Sequence, residues 1–418
     1  MKYGRFAVLG LALVMGTAVG LVPVTPVLAK DKAPKPEKEE PSKFSPAFSK
    51  LVGALQTAVN DKKTDAAKAQ LALCEAAAST PDDKFYLGQF RQLLGGQLQI
   101  KAMQVTGLKE MLASGSTKLK PETAASFKRY LGIWAYQDKD YPGALALLSE
   151  AAAGGVKDGD LYIFLADAQY RAKQYPASFA SASKAVAQGD GKGGKADESW
   201  YTMTRQHAFQ AGLVPETADW SRQLARAYPN SANLHDMAAF YINSARPGDR
   251  DRLDTFRLMR EMKVMGLASE YTELADLLLR LRYPGEAKAV LEEGYAAKII
   301  NPASQQGKDL TATANSQVPA DMKSLPGSEA TAKSKPTGSV AMNVGDAFLG
   351  YGDNAKALTY YKLAQAKGGV DLNELNTHVG IALLRSGLKA EAIQAFSAVG
   401  GGRAELGKFW ATWAELRP

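Results

Sequence analysis

The sequence predicts an all-α protein built as an array of helix–turn–helix repeats and closed by a C-terminal helix. Three observations predict it. The first is self-similarity. "YLGIWAYQDKDYPGALALLSEAAAGG" from Tyr130 and "FLADAQYRAKQYPASFASASKAVAQG" from Phe164 place Leu131 and Leu165, Tyr141 and Tyr175, Pro142 and Pro176, and Ala151 and Ala185 each 34 residues apart. The second is composition. Ala, Leu, Lys and Glu are frequent, β-branched runs are scarce, and 46% of the 418 residues are hydrophobic. The third is that small residues recur where two antiparallel helices approach closely. Such arrays grow by stacking neighbours, so length sets no domain count.

The N-terminus is expected to be processed. Lys2 and Arg5 precede an apolar run from Phe6 to Val22, and "PVTPVLA" ends at Ala29 with Val27 and Ala29 at the small-residue positions of a cleavage site. A retained membrane anchor is the competing reading. The run is short for a span, and Pro23 and Pro26 close it. Residues 1–29 therefore read as a secretory signal peptide, and the location as periplasmic or secreted. No other segment is long and apolar enough to span a bilayer. Residues 30–45, Pro-rich and charged, bury too little to offset chain entropy and read as a disordered linker.

Helical repeats are expected over 46–300. Phe48, Leu51, Val52, Leu55 and Val59 fall on one helical face. Thr64 is placed as the cap of a second helix carrying Ala67, Leu71 and Cys74, and "STPDD" opens a third near Asp82. The region from Phe85 to Met111 is helical with a break at Gly95-Gly96. In the quoted stretches the Tyr-Pro pair starts each second helix, where a missing amide donor costs little. The grammar returns over 340–402: Gly345 and Gly380, Ala357 and Ala392, and Tyr361 and Phe396 are each 35 apart. "RYPGEAKAV" repeats the turn at Tyr283, and two weaker copies lie between 200 and 266.

These residues resemble the tetratricopeptide repeat, a helix–turn–helix of about 34 residues with small residues at set points of both helices. The spacing from Gly345 through Phe348 and Gly352-Asp353 to Ala357 carries the resemblance best. Several first helices lack the early aromatic, and Trp134 stands one residue off its slot. The resemblance implies a right-handed superhelical solenoid whose first helices line a concave face, and a role in binding. Its clamp for C-terminal carboxylates is not carried over, because Ile133 and Asp167 stand where Asn would be needed.

Two segments depart from the repeat. Residues 301–339 are dominated by Ala, Ser, Thr, Gly, Pro and Lys and read as a flexible low-complexity insertion, with a short irregular helix over 320–333 as the alternative. Residues 403–418 bring Leu406, Phe409, Trp410 and Trp413 to one side of a capping helix.

The chemistry of catalysis is not in evidence. Cys74 stands alone in an Ala/Leu-rich helix and reads as a core residue, so no disulfide is expected. His207, His235 and His378 lie in separate repeats without ligand spacing, and neighbouring His235 and Asp236 diverge on a helix. "GDGKGGKAD" from Gly189 lacks the Gly-Lys-Ser/Thr ending of a phosphate loop, and "VKDGD" from Val156 has too few carboxylates for calcium. No enzyme, cofactor or metal is expected. The formal charge of +8 falls to +6 without Lys2 and Arg5, and its cations are spread along the chain. That argues against nucleic acid. The expected role is an exported scaffold binding a protein or peptide along the concave face, with Arg129, Ile133, Tyr136 and Gln137 on one first helix and Ile163, Asp167, Tyr170 and Arg171 on the next. An anionic envelope polysaccharide or cell-wall glycan is the second partner class.

Overall fold

The computed structural model describes residues 41–189, 194–245 and 247–417. The stretch over 1–29 expected to be a secretory signal, and the part of the expected linker up to Glu40, lie outside the described residues, as does the middle of the Gly-rich loop after Gly189. Among the described residues there are twenty α-helices and no strand. They divide into two compact units, meeting in sequence at Gln174 and Tyr175.

The first unit holds α1 (Pro46–Asn60), α2 (Thr64–Ala77), α3 (Pro81–Gln97), α4 (Lys101–Ala113), α5 (Pro121–Gln137), α6 (Tyr141–Ala153) and α7 (Gly159–Arg171). Phe48, Leu55, Cys74, Phe90 and Leu94 are fully buried in its first cluster. Burial pushes the Cys74 thiol up to about 11, as expected of a core residue. Helix α2 begins at Thr64 without a side-chain cap, so Thr64 is a first-turn residue rather than the cap. The break between α3 and α4 falls at Leu98–Ile100, with Gln99 left-handed at φ 57°, and not at Gly95-Gly96. Gly95 stays helical because α4 crosses it: a Cβ there would stand 2.8 Å from the Gln104 nitrogen. Gly107 of α4 makes the same approach, 2.4 Å from the Gly88 oxygen.

The linker expected to be disordered up to residue 45 has its last residues bonded to α3. The Lys43 and Ser45 amides donate to Asp82 (2.7 Å) and Asp83 (3.1 Å), and the Ser42 hydroxyl donates to Tyr86 (3.1 Å). Residues 42–45 are thus tied to the start of α3. The carboxylates that gather these amides are the first-turn acids of that helix. Amides at Ser79 and Thr80 also bond Asp83, and these bonds outweigh burial and hold its carboxyl below the usual range.

The second unit holds α8 (Tyr175–Gln188), α9 (Glu198–Gln210), α10 (Val214–Ala227), α11 (Ser231–Ala245), α12 (Asp249–Glu261), α13 (Ala268–Arg280) and α14 (Pro284–Ala296). It continues through α15 (Gln305–Ser334), α16 (Ser339–Gly350), α17 (Asn354–Lys367), α18 (Leu372–Arg385), α19 (Lys389–Ser397) and α20 (Ala404–Leu416). One continuous apolar core runs from Ala218 to Ala414. The 35-residue spacing has a physical cause. Gly345 of α16 and Gly380 of α18 each leave room for a ring of the following helix; an added Cβ would meet Tyr361 at 2.5 Å and Phe396 at 2.4 Å. The connecting turns reuse one conformation, with Gly212, Arg282, Gly352 and Gly387 left-handed at φ between 70° and 82°.

The flexible insertion expected over 301–339 is instead the longest helix. α15 runs through Pro319 and Pro326 and packs on α13, α14 and α16. Few of its own residues are large and apolar, but Ala314 and Ala332 are fully buried at close contact. Neighbouring tyrosines hold it: Tyr351 donates to Asp321 between the prolines and Tyr360 donates to Glu329 beyond them, both at 2.6 Å. The Lys367 ammonium then donates to the Ala332 and Lys333 carbonyls at its C-terminal end.

α20 covers the last repeat as a cap should. Trp410 is fully buried and stacks on Phe396 with centroids 5.3 Å apart. It also reaches back within its unit to α10, α11 and α12. Phe409 meets Tyr241 edge-on, Arg226 bonds Glu415 at 2.8 Å, and Arg222 pairs with Glu405.

Candidate functional site

The expected binding residues all lie in the first unit, on α5 and α7. α5 starts with Pro121 in its first turn and buries Leu131 and Gly132, the latter because Leu148 of α6 would meet a Cβ at 2.7 Å. α7 starts at the Asp158 cap, whose side chain accepts from the Asp160 amide at 3.1 Å. Arg129 and Tyr136 are thereby brought to α7 and its cap.

Most of the eight residues meet one another or their neighbours. The Tyr136 hydroxyl donates to Asp167, and the Arg171 Nε donates to the same carboxylate oxygen at 2.6 Å. The Arg171 guanidinium lies over the Tyr141 ring, 4.2 Å from its centroid. Tyr136 packs between Tyr141 and Phe164, with centroids at 5.3 and 4.9 Å. Arg129 pairs with Asp158, approaches Asp160 at 4.0 Å and lies over Tyr130. Ile163 and Asp167 are buried, Ile133 and Tyr170 are half-buried, and Gln137 and Arg171 are exposed. Spacing alone allows Tyr136 either a groove or an inter-repeat packing role; the structure makes it an inter-repeat contact, and Ile163 is core.

A second cluster joins residues far apart in the sequence. In the second unit Asp254 and Arg257 of α12, Glu286 of α14, Asp346 of α16 and His378 of α18 are essentially fully buried, and Arg403 nearly so. Arg257 forks onto Glu286 and also reaches Asp254 at 3.0 Å. His378 lies between two carboxylates, with Nδ1 at 2.6 Å from Asp346 and Nε2 at 3.1 Å from Asp254. Tyr283 and Tyr361 donate to Asp346 at 2.9 and 2.8 Å, and Arg403 reaches Asp254. Burial opposes ionisation of Asp254, Asp346 and Glu286, yet the facing His378 and Arg257 hold all three below the usual carboxylate range. The sequence carries one hint: Asp254 and Arg257 interrupt the apolar face of α12 between Leu253 and Leu258.

The other two histidines also have polar partners. His207 is buried with Nδ1 2.7 Å from the Ser178 hydroxyl, and His235 Nε2 lies 2.6 Å from Glu270. Among the described residues, no His, Cys, Asp and Glu group is arranged to hold a metal ion.

No family model matches the chain, and no curated protein does. Among solved structures, it is similar to the C-terminal part of a TPR repeat-containing protein of Cytophaga hutchinsonii, at 13% identity over 63% of this chain and 98% of that one, TM-score 0.33. A tetratricopeptide repeat protein of Parabacteroides merdae aligns at 13% identity over 70% and 98%, TM-score 0.26. The TPR2AB domain of yeast Sti1, solved as a pHSP90 complex, aligns at 12% over 70% and 98%, TM-score 0.24. The chain's own geometry carries the fold: the helices at Tyr141 and Tyr175 start 34 residues apart, those at Val214, Asp249 and Pro284 and those at Asn354 and Lys389 start 35 apart, small residues set the crossings and a left-handed residue recurs in the turns, so the fold is an all-α array of tetratricopeptide-like helix pairs.

Proposed function

We propose that this chain is an exported scaffold that binds a protein or peptide partner across the α5–α7 face of its first unit. The supporting observation is the fixed cluster of Tyr136, Asp167, Arg171 and Tyr141, beside half-buried Tyr170 and exposed Gln137. A ring and a guanidinium already held in place lose little freedom on binding, which suits recognition of an extended chain. Export rests on the charged start, the apolar run and the site ending at Ala29. The anionic-polymer reading draws less support here, since Arg129 and Arg171 are both matched by carboxylates.

Photo-cross-linking residues placed at Gln137 and Tyr170 test the reading, with Ser149 on α6 as control. The expected result is one partner captured from both face positions in the producing cell's envelope, lost with Arg171→Glu. Capture of nothing, or of the same species from Ser149, overturns it. Loss of capture that is steep with salt assigns the partner to an acidic polymer instead.

A further inference from the structure

Three ion pairs join α12 and α18, and they share one offset. Arg250 pairs with Glu374, Asp254 with His378 (3.1 Å) and Glu261 with Arg385 (2.6 Å), each 124 residues apart. Positions 250, 254 and 261 return to within about 40° of each other on a helix, as do 374, 378 and 385. A constant offset means that the two helices run in parallel and in register, with one charged stripe facing another. Their contact is made by these side chains and not by close backbone packing.

A charged His378 balances the fully buried middle of this seam. Asp254, Asp346 and Glu286 are three buried acids, and Arg257 and Arg403 supply two buried cations. Both ring nitrogens of His378 face carboxylate oxygens, which are acceptors. A neutral imidazole has one N–H, so one of those contacts would then set lone pair against lone pair. Two donors are needed, which defines the imidazolium.

We propose that His378 is a constitutive imidazolium that bolts the α12–α18 seam, and that removing its charge parts α12 from α18 and loosens α20 with them. α20 follows because Arg403, at its start, is held by Asp254 and Asp251 of α12. Groups facing the bolt come from every side: Arg250, Asp251, Asp254 and Arg257 on α12, Tyr283 and Glu286 at α14, Asp346 on α16, Tyr361 on α17, Glu374 on α18, and Arg403. Burial alone would lower the histidine, but Asp346 and Asp254 outweigh it and push it up to about 10. An ordinary histidine titrates near 6.5. The stabilisation is thus complete below that value and is lost as pH rises through the raised one.

Two measurements on the full chain decide it. Long-range ¹H–¹⁵N spectra of the three histidines, assigned by single substitutions, should show His378 protonated on both nitrogens at pH 8. A neutral ring there overturns the proposal. Amide exchange of His378→Gln should then speed at least tenfold over α12, α18 and α20 together, with the first unit unchanged. Adding Asp346→Asn, which restores charge balance while leaving Arg257 and Arg403 their Asp254 partner, should recover at least half of that protection. Faster exchange confined to the turn around 378, or no recovery in the double variant, reduces His378 to a packing residue. Should His378→Gln fail to fold, the parent at pH 7 and pH 10.5 supplies the comparison, with exchange corrected for its intrinsic pH dependence. Equal protection in α12 and α18 at both pH values sinks the bolt.

Discussion

At the residue scale, glycine is used for proximity as much as for turns. Gly107 and Gly96 both sit in or near the α3–α4 pair, yet only Gly107 faces backbone, 2.4 Å from the Gly88 oxygen by its missing Cβ. Gly96 meets nothing within 4 Å. Gly107→Ala should therefore destabilise the first unit by about 1–3 kcal/mol, as overpacking does. Gly96→Ala should stabilise it by about 0.5–1 kcal/mol by restricting the unfolded chain. Chemical denaturation of the two variants beside the parent checks the pair. Shifts of the same sign would show that the α3–α4 crossing is placed wrongly.

At the element scale, α15 shows how a helix can form with little apolar patterning of its own. Its anchors belong to its neighbours: Tyr351, Tyr360 and Lys367 each bond into it. Gly285 on α14 clears the space for the Tyr351 ring, 2.2 Å from where its Cβ would stand. Deleting Ser304–Lys335 strips these partners and uncovers α14 and α16. Such a deletion should lower the melting temperature of the second unit by several degrees and remove helical circular dichroism beyond the deleted residues' share. A melt superimposable on the parent's would make α15 an ornament rather than a packed element. Loop-closure entropy alone changes too slowly with length to mimic that loss.

At the scale of the whole molecule, each unit solves the end problem of a repeat array differently. The first gathers residues 42–45 onto α3; the second brings α20 back to α10–α12 while covering α19. Removing 401–418 should consequently unfold more than the last repeat. Phe409, Trp410 and Leu406 are fully buried, so truncation exposes apolar faces on α11 and α19 together. Amide exchange should show lost protection in α10–α12 as well as in α18–α19. Protection lost from α19 alone would reduce α20 to a simple cap. On the acid side, the lowered carboxyls of Asp254, Asp346 and Glu286 contribute stability that is present above their unfolded values near 4 and lost as pH falls below them. A denaturation midpoint that stayed flat on acidification from pH 5 would contradict that reading.

The sequence by itself determined the helix pairs, their 34- and 35-residue spacing, the core face of α1, and the burial of Leu131, Ala357 and Trp410. It could do so because those features are local: periodicity, proline at a helix start and a small residue at a crossing act within one repeat. It placed Tyr136, Asp167, Tyr170 and Arg171 at one end of two neighbouring helices, but not their union, since a hydroxyl 31 residues from its carboxylate shows in no periodic pattern. Only the tertiary structure decided that α15 is a helix, because its partners lie in other helices. It alone decided that His378 is a cation. That charge depends on Asp254, 124 residues earlier, and Asp346, 32 residues earlier, converging on one ring in a place that water does not reach.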